Sequence, residues 1–223
     1  MKSSLIPPAV LGTIAILSLA AAQAQETPFY IKGDLGGAWT EDTALKSFFG
    51  ENTFGAKMKF DPGARLGFRG GYMVTDWFSA EAETGVTTST IHSITGGPSS
   101  VDASLSTVPF LLNARFQIPC RMRVTPFFGG GLGFADMVLD ADHMTFGSTR
   151  LHGTVSDAVF AYQAFAGLRF ALNDRMGVSV EYHYLGTTDP EWRADFVAGG
   201  GSDRMKIGGI ETHSFSIAFE YRF

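Results

Sequence analysis

From Phe215 to the final Phe223 every second residue is apolar: Phe215, Ile217, Phe219, Tyr221 and Phe223. The residues between them include Ser216, Glu220 and Arg222. A period of two predicts a β-strand, because successive side chains leave a strand on opposite faces. It does not say which face meets water. In a soluble barrel the apolar set would point inward; in a membrane barrel it would meet lipid.

The same period recurs through the chain and predicts eight strands, at about 28–40, 62–73, 77–91, 103–117, 122–139, 156–171, 175–187 and 209–223. Three connections are short and carry Pro, Asn or Asp: Val74 to Asp76, "IPCR", and Leu172 to Asp174. The other four, about 41–61, 92–102, 140–155 and 188–208, are longer. This strict alternation matches barrels with short periplasmic turns and long outer loops. Pro109 and Pro126 should mark bulges or strand ends, since proline cannot donate to a ladder.

The polar face decides the orientation. It collects Lys32, Arg65, Arg69, Arg115, Arg169 and Arg222, facing Asp34, Glu81, Glu83, Glu181 and Glu220. So many charges cannot sit in a dry sandwich core, where each unpaired ion costs several kcal/mol. They can pair inside a narrow barrel, which leaves the apolar face to lipid. The fold class expected is therefore all-β, an eight-stranded antiparallel up-and-down transmembrane barrel. Phe29, Tyr72, Trp77, Phe116, Phe170, Tyr221 and Phe223 would form the periplasmic aromatic girdle, with Trp39, Phe134 and Tyr184 near the outer ends. The near balance of signs predicts a lumen closed by ion pairs, in which neutralising Glu81 and Glu83 would strand arginines. Gly129, Gly131 and Gly133 would be its weak point, a narrow path for water.

The front of the chain fits export. Lys2, the apolar run Ala9 to Ala22 and the small residues of "AQA" form a signal-peptide pattern, with cleavage expected between Ala24 and Gln25. Residues 1–24 would be removed and residues 25–223 would form one barrel domain. The 17 basic and 22 acidic side chains give a net charge of −5, and −6 once Lys2 is gone, which argues against nucleic acid. The single cysteine, Cys120, rules out an internal disulfide, and a free thiol is expected.

Three stretches, "TVPFLLNARF" (107–116), "TPFFGGGLGFA" (125–135) and "FAYQAFAGLRFALNDRMGVSVEYHYL" (160–185), resemble the porin-family outer-membrane β-barrel domain. That group is related to the outer-membrane protein A barrel and to opacity-type proteins. The terminal "FSIAFEYRF" is similar too. The resemblance implies location in the outer membrane, in contact with its lipid bilayer and lipopolysaccharide. It also implies that Ile217, Phe219, Tyr221 and Phe223 are the signal read by the barrel-assembly machinery. His183 stands where relatives often carry Arg.

Competing readings are weaker. A lipid-modifying barrel enzyme needs a Ser, a His and an acid in register. Leu185, not Ser, lies two positions after His183, and adjacent His213 and Ser214 should face opposite sides. "DADH" (140–143) reads as a solvated acidic loop before it reads as a cation site, and "GAW" (37–39) is too short a match to support a lipocalin. "GGPSS" and "AGGGSD" (198–203) read as loop tips, without the Lys-Ser/Thr of a phosphate loop. The function expected is a structural or surface-interaction role through four long outer loops, in a monomer without catalytic residues, cofactor or metal and with an unidentified outer partner. A narrow pore for small solutes is the alternative.

Overall fold

A computed structural model describes residues 28–49, 51, 53–96, 99–119, 123–193 and 204–223. The expected signal peptide, Ala24 and Gln25, Cys120 and the "AGGGSD" tip lie outside them. Twelve strands follow in chain order. They are β1 (Phe29–Thr40), β2 (Thr43–Phe48), β3 (Lys57–Phe60), β4 (Gly63–Met73), β5 (Phe78–Ile94) and β6 (Ser99–Gln117), then β7 (Val124–Phe146), β8 (Thr149–Ala171), β9 (Met176–Thr187), β10 (Glu191–Arg193), β11 (Arg204–Ile207) and β12 (Glu211–Arg222).

Eight of them close a ring in the order β1, β4, β5, β6, β7, β8, β9, β12, every neighbour antiparallel. β12 returns to β1 in a continuous register from Tyr30↔Arg222 to Thr40↔Thr212. Closure leaves no free edge, which backbone in lipid requires. β1, β4, β9 and β12 are 11 or 12 residues long, close to the ~9–11 residues a tilted strand needs to cross a bilayer.

The short turns are built by their polar residues. Asn173 Oδ1 accepts from the backbone N–H of Arg175 at 2.9 Å and of Met176 at 2.7 Å. Thr75 Oγ1 accepts from Phe78 N–H at 3.0 Å. Pro126 lies at the start of β7, whereas Pro109 sits inside β6 at a gap in the β5–β6 ladder, between Thr84↔Phe110 and Thr87↔Thr107. The missing N–H breaks pairing there without shifting the register.

The outer half differs from the sequence reading. Segments 92–102 and 140–155 are not long loops: β5 runs to Ile94, β6 begins at Ser99, β7 reaches Phe146 and β8 begins at Thr149. Bulges at Asp102/Ala103 and between Ala141 and Met144 change the inward phase, so that Ala141 faces in and then Met144 and Phe146 do. A strict alternation count fails at such a bulge. "DADH" is accordingly part of β7, not a loop.

The two remaining connections hold β2, β3, β10 and β11. Where β4, β1, β12 and β9 end, these four take over the wall in the order β3, β2, β11, β10. β3 pairs with β5 through Met58↔Ile94, and Glu191 N–H donates to Asp157 on β8 at 2.8 Å. The barrel thus continues beyond the membrane as a second tier.

Candidate functional site: a lumen filled in two tiers

In the membrane tier the inward faces carry the charges. Glu181 on β9 is the hub. It pairs with Lys32 on β1, accepts from Arg69 on β4 at 2.5 Å and from the Ser179 hydroxyl at 2.5 Å, and lies 3.2 Å from His183 Nε2. Asp34 accepts from Arg65 Nε at 2.9 Å and Arg69 at 2.8 Å. Glu83 accepts from Arg65 at 2.5 Å, Asn113 at 2.7 Å and Gln163 at 2.5 Å. Nearer the turns, Glu220 gathers Arg115 at 3.0 Å, Arg169 at 2.8 Å and Arg222 at 2.9 Å, and Glu81 receives the Tyr30 hydroxyl at 2.5 Å with Arg115 at 3.6 Å. All eleven charged residues picked out from the sequence are in these clusters. All but Arg222 are buried.

Tyr30, Asn113, Gln163, Ser179 and His183 complete the network and were not among those eleven. Two aromatics, Phe127 and Phe165, also point inward, with ring centroids 6.4 Å apart. Lys32 Nζ lies 4.5 Å from the Phe127 centroid and the Arg115 guanidinium 4.3 Å, within cation–π range. Phase alone would have found both phenylalanines, since they alternate with outward Phe128 and Ala164; residue type pointed the other way.

These rings correct the expected water path along β7. A Cβ at Gly129 would fall 2.4 Å from the Phe165 ring and 2.4 Å from the Ala114 carbonyl oxygen. At Gly131 it would meet Asn113 Oδ1 at 1.8 Å, and at Gly167 the Phe127 ring at 2.6 Å. Gly129, Gly131 and Gly167 are room that neighbouring side chains fill, whereas Gly133 lies against the backbone of Phe110 and Leu111.

The outer tier is packed with apolar residues. Trp192, on the three-residue β10, is almost wholly buried and donates its indole N–H to the Met137 carbonyl at 2.8 Å. Met58, Met137, Met144 and Met205 belong with it to one buried apolar cluster. At the top, Phe48 meets Phe49 and Phe146 at 5.0 and 5.8 Å, and Glu51 accepts from Ser148 N–H at 2.8 Å and its hydroxyl at 2.6 Å. Phe49 holds φ at 48°, a costly value for a side chain of its size, and its N–H donates to the Arg204 carbonyl at 2.9 Å. The two outer connections are thereby locked over the barrel mouth.

Outside, the faces divide as a membrane barrel requires. Leu35, Leu112, Leu132, Ile217 and Phe219 are exposed on the wall. Phe29 and Tyr72 meet at 5.0 Å near the turns, and Trp77 stacks on Phe116 at 6.1 Å. Tyr221 and Phe223 form an edge contact at 5.2 Å, and Phe223 N–H donates to the Phe29 carbonyl. Trp39, Phe134 and Tyr184 lie toward the outer rim, where Trp39 packs on Phe215 and so is not at a lipocalin floor. His213 lies on this outer wall, between the Tyr182 hydroxyl at 2.6 Å and Glu41 at 3.0 Å, while Ser214 is buried on the inner face. Asp140 accepts from Thr154 at 2.8 Å, and no metal-binding group of three or more His, Cys, Asp or Glu occurs among the described residues.

A closed eight-stranded ring, an apolar belt outside and buried charge within define a transmembrane β-barrel. The family model for the outer membrane protein beta-barrel domain matches residues 9–223, and the chain belongs to that family and to the outer membrane. Among solved structures it is similar to OprG from Pseudomonas aeruginosa, with 18% identity, 90% of this chain and 98% of that chain covered, and a TM-score of 0.63. It is also similar to Neisserial surface protein A (14% identity, 90% and 100% covered, TM-score 0.55) and to AlkL (14%, 92% and 95%, TM-score 0.51). At these identities the likeness concerns the fold. No curated protein sequence matches.

Proposed function

We propose that this protein is a monomeric, non-enzymatic barrel with a closed lumen, acting through the rigid outer tier that it holds above the bilayer. The observation that carries this reading is the filling of both tiers, by ion pairs and rings below and by an apolar core above. An eight-stranded barrel has an interior about wide enough for side chains alone, and here long residues occupy it. The balanced charges favour mutual pairing over the single-sign ring that ion-selective pores usually present. Cells producing the protein at high level should take up small hydrophilic dyes no faster than cells lacking it. Dye uptake that rises with the amount of folded protein would favour the narrow pore instead.

Export with loss of residues 1–24 belongs to the same reading, as does recognition of Ile217, Phe219, Tyr221 and Phe223 by the assembly machinery. Two of these, Ile217 and Phe219, stand on the lipid face of the strand that closes the ring. Deleting Phe223 should therefore slow insertion while leaving the fold attainable. Small folded barrels migrate differently before and after boiling, and a wild-type level of heat-modifiable band in the outer membrane would contradict this role.

A further inference from the structure

The basic residues of this acidic chain are distributed unevenly. Six belong to the lumen network and Arg123 and Arg175 lie at the turn end, while Lys2 and Arg121 fall outside the described residues. Seven remain beyond the outer aromatic residues. One is Arg150, the second residue of β8. The other six, Lys46, Lys57, Lys59, Arg193, Arg204 and Lys206, all stand on β3, β2, β11 and β10.

They share one face. Met58, Leu45, Met205 and Trp192 are buried on the inner side of these strands, and the cations alternate with them to the outside. Asp189 is shared between Lys46 at 2.5 Å and Lys206 at 3.8 Å, and these ammonium groups, Lys46 first, hold its carboxyl below the usual range. Glu191 is shared between Arg204 at 3.2 Å and Arg193 at 4.0 Å. Lys57 and Lys59 make no ion pair among the described residues. Among the described residues of this face, six cations stand against Asp189 and Glu191, with Asp42 and Asp61 at the ends of β2 and β3, so the cations are in excess by two, and three strand spacings make the face about 15 Å wide. The opposite wall is the reverse, with Asp102, Asp136, Asp140 and Asp142 directed outward on β6 and β7.

Height selects the partner. β3 ends at Phe60, three residues before Gly63 starts β4, and Gly63 pairs with Ala38, the neighbour of the belt residue Trp39. The basic face therefore starts just above the apolar wall and continues it sideways, toward the surrounding leaflet and not toward the medium above. The groups at that level in an outer leaflet are the phosphates and sugars of its glycolipid. We infer that the β3–β2–β11–β10 face is a docking surface for the phosphorylated headgroup of an outer-leaflet glycolipid, held laterally against one side of the barrel. This deepens the proposed role of the outer tier by naming its partner.

The test uses the folded mature protein in detergent micelles. The probes are lipopolysaccharide, the same lipid after enzymatic dephosphorylation, and heparin as a soluble polyanion. Each lysine near a charged headgroup surface contributes roughly five-fold to affinity. Lys57→Gln with Lys59→Gln should thus weaken lipopolysaccharide binding about ten- to thirty-fold. Both side chains are exposed, so heat-modifiability should be retained. Dephosphorylated lipid should bind the wild type as weakly as intact lipid binds the variant, and Asp140→Asn with Asp142→Asn should cause no loss. Equal affinity of wild type and lysine variant, or indifference to the phosphates, would overturn the assignment. So would tight heparin binding without lipid binding, which would make the face a site for soluble polyanions. Ion currents through a barrel that still binds phosphorylated lipid would refute the closed lumen and leave this inference standing.

Discussion

Replacing Glu181 by Gln should be the most damaging single change in the membrane tier, at about 3–5 kcal/mol, the range for breaking one partner out of a buried ion pair. Glu181 is fully buried and faces Lys32, Arg69 and His183. Without its charge Lys32 loses its carboxylate among the described residues, whereas Arg69 retains Asp34. Glu81 should matter less, because its nearest partners are the neutral Tyr30 hydroxyl and an Arg115 that keeps Glu220. Denaturant unfolding of the refolded protein in lipid measures both, with Glu41→Gln as the exposed comparison at under about 1 kcal/mol. If Glu181→Gln cost no more than Glu41→Gln, the lumen pairs would not be holding the barrel.

Trp192→Ala should have an effect of similar size in a different place. Removing a buried Trp costs about 3–5 kcal/mol, and this one also gives up the hydrogen bond to Met137. β10 has only three residues and one strand partner, β11, so the loss falls on the outer tier and not on the ring below. Proteases should then cut the β9–β12 connection of the intact, still heat-modifiable barrel. Cutting no faster than in the wild type, or loss of the whole barrel, would mean that the tiers are not separable in this way.

The membrane tier was legible because its physics is local. Inward and outward residues alternate without a break along β1, β4, β9 and β12, and lipid on one side with paired charge on the other gives the two phases opposite chemistry. The outer tier hid itself for stated reasons. Bulges at Ala103 and after Ala141 change the phase, and β3, β10 and β11 are three or four residues long, too short for a period to register. Its core also depends on contacts between distant segments, such as Trp192 with Met137. Phe127 and Phe165 were missed differently: their phase was right, but aromatics in this chain otherwise mark the lipid side. Glu81 and Glu83 stand out together in sequence because they are close neighbours, and Glu83 does hold Arg65, whereas the hub Glu181 on β9 has no such neighbour to mark it.

Single-channel recording tests the filled lumen most directly. Purified wild-type protein, shown to be folded by its heat-modifiable migration and reconstituted in a planar bilayer, should give no steady current at any polarity. Sustained, ion-selective unitary currents from that monomer would contradict the closed lumen and make the barrel a pore.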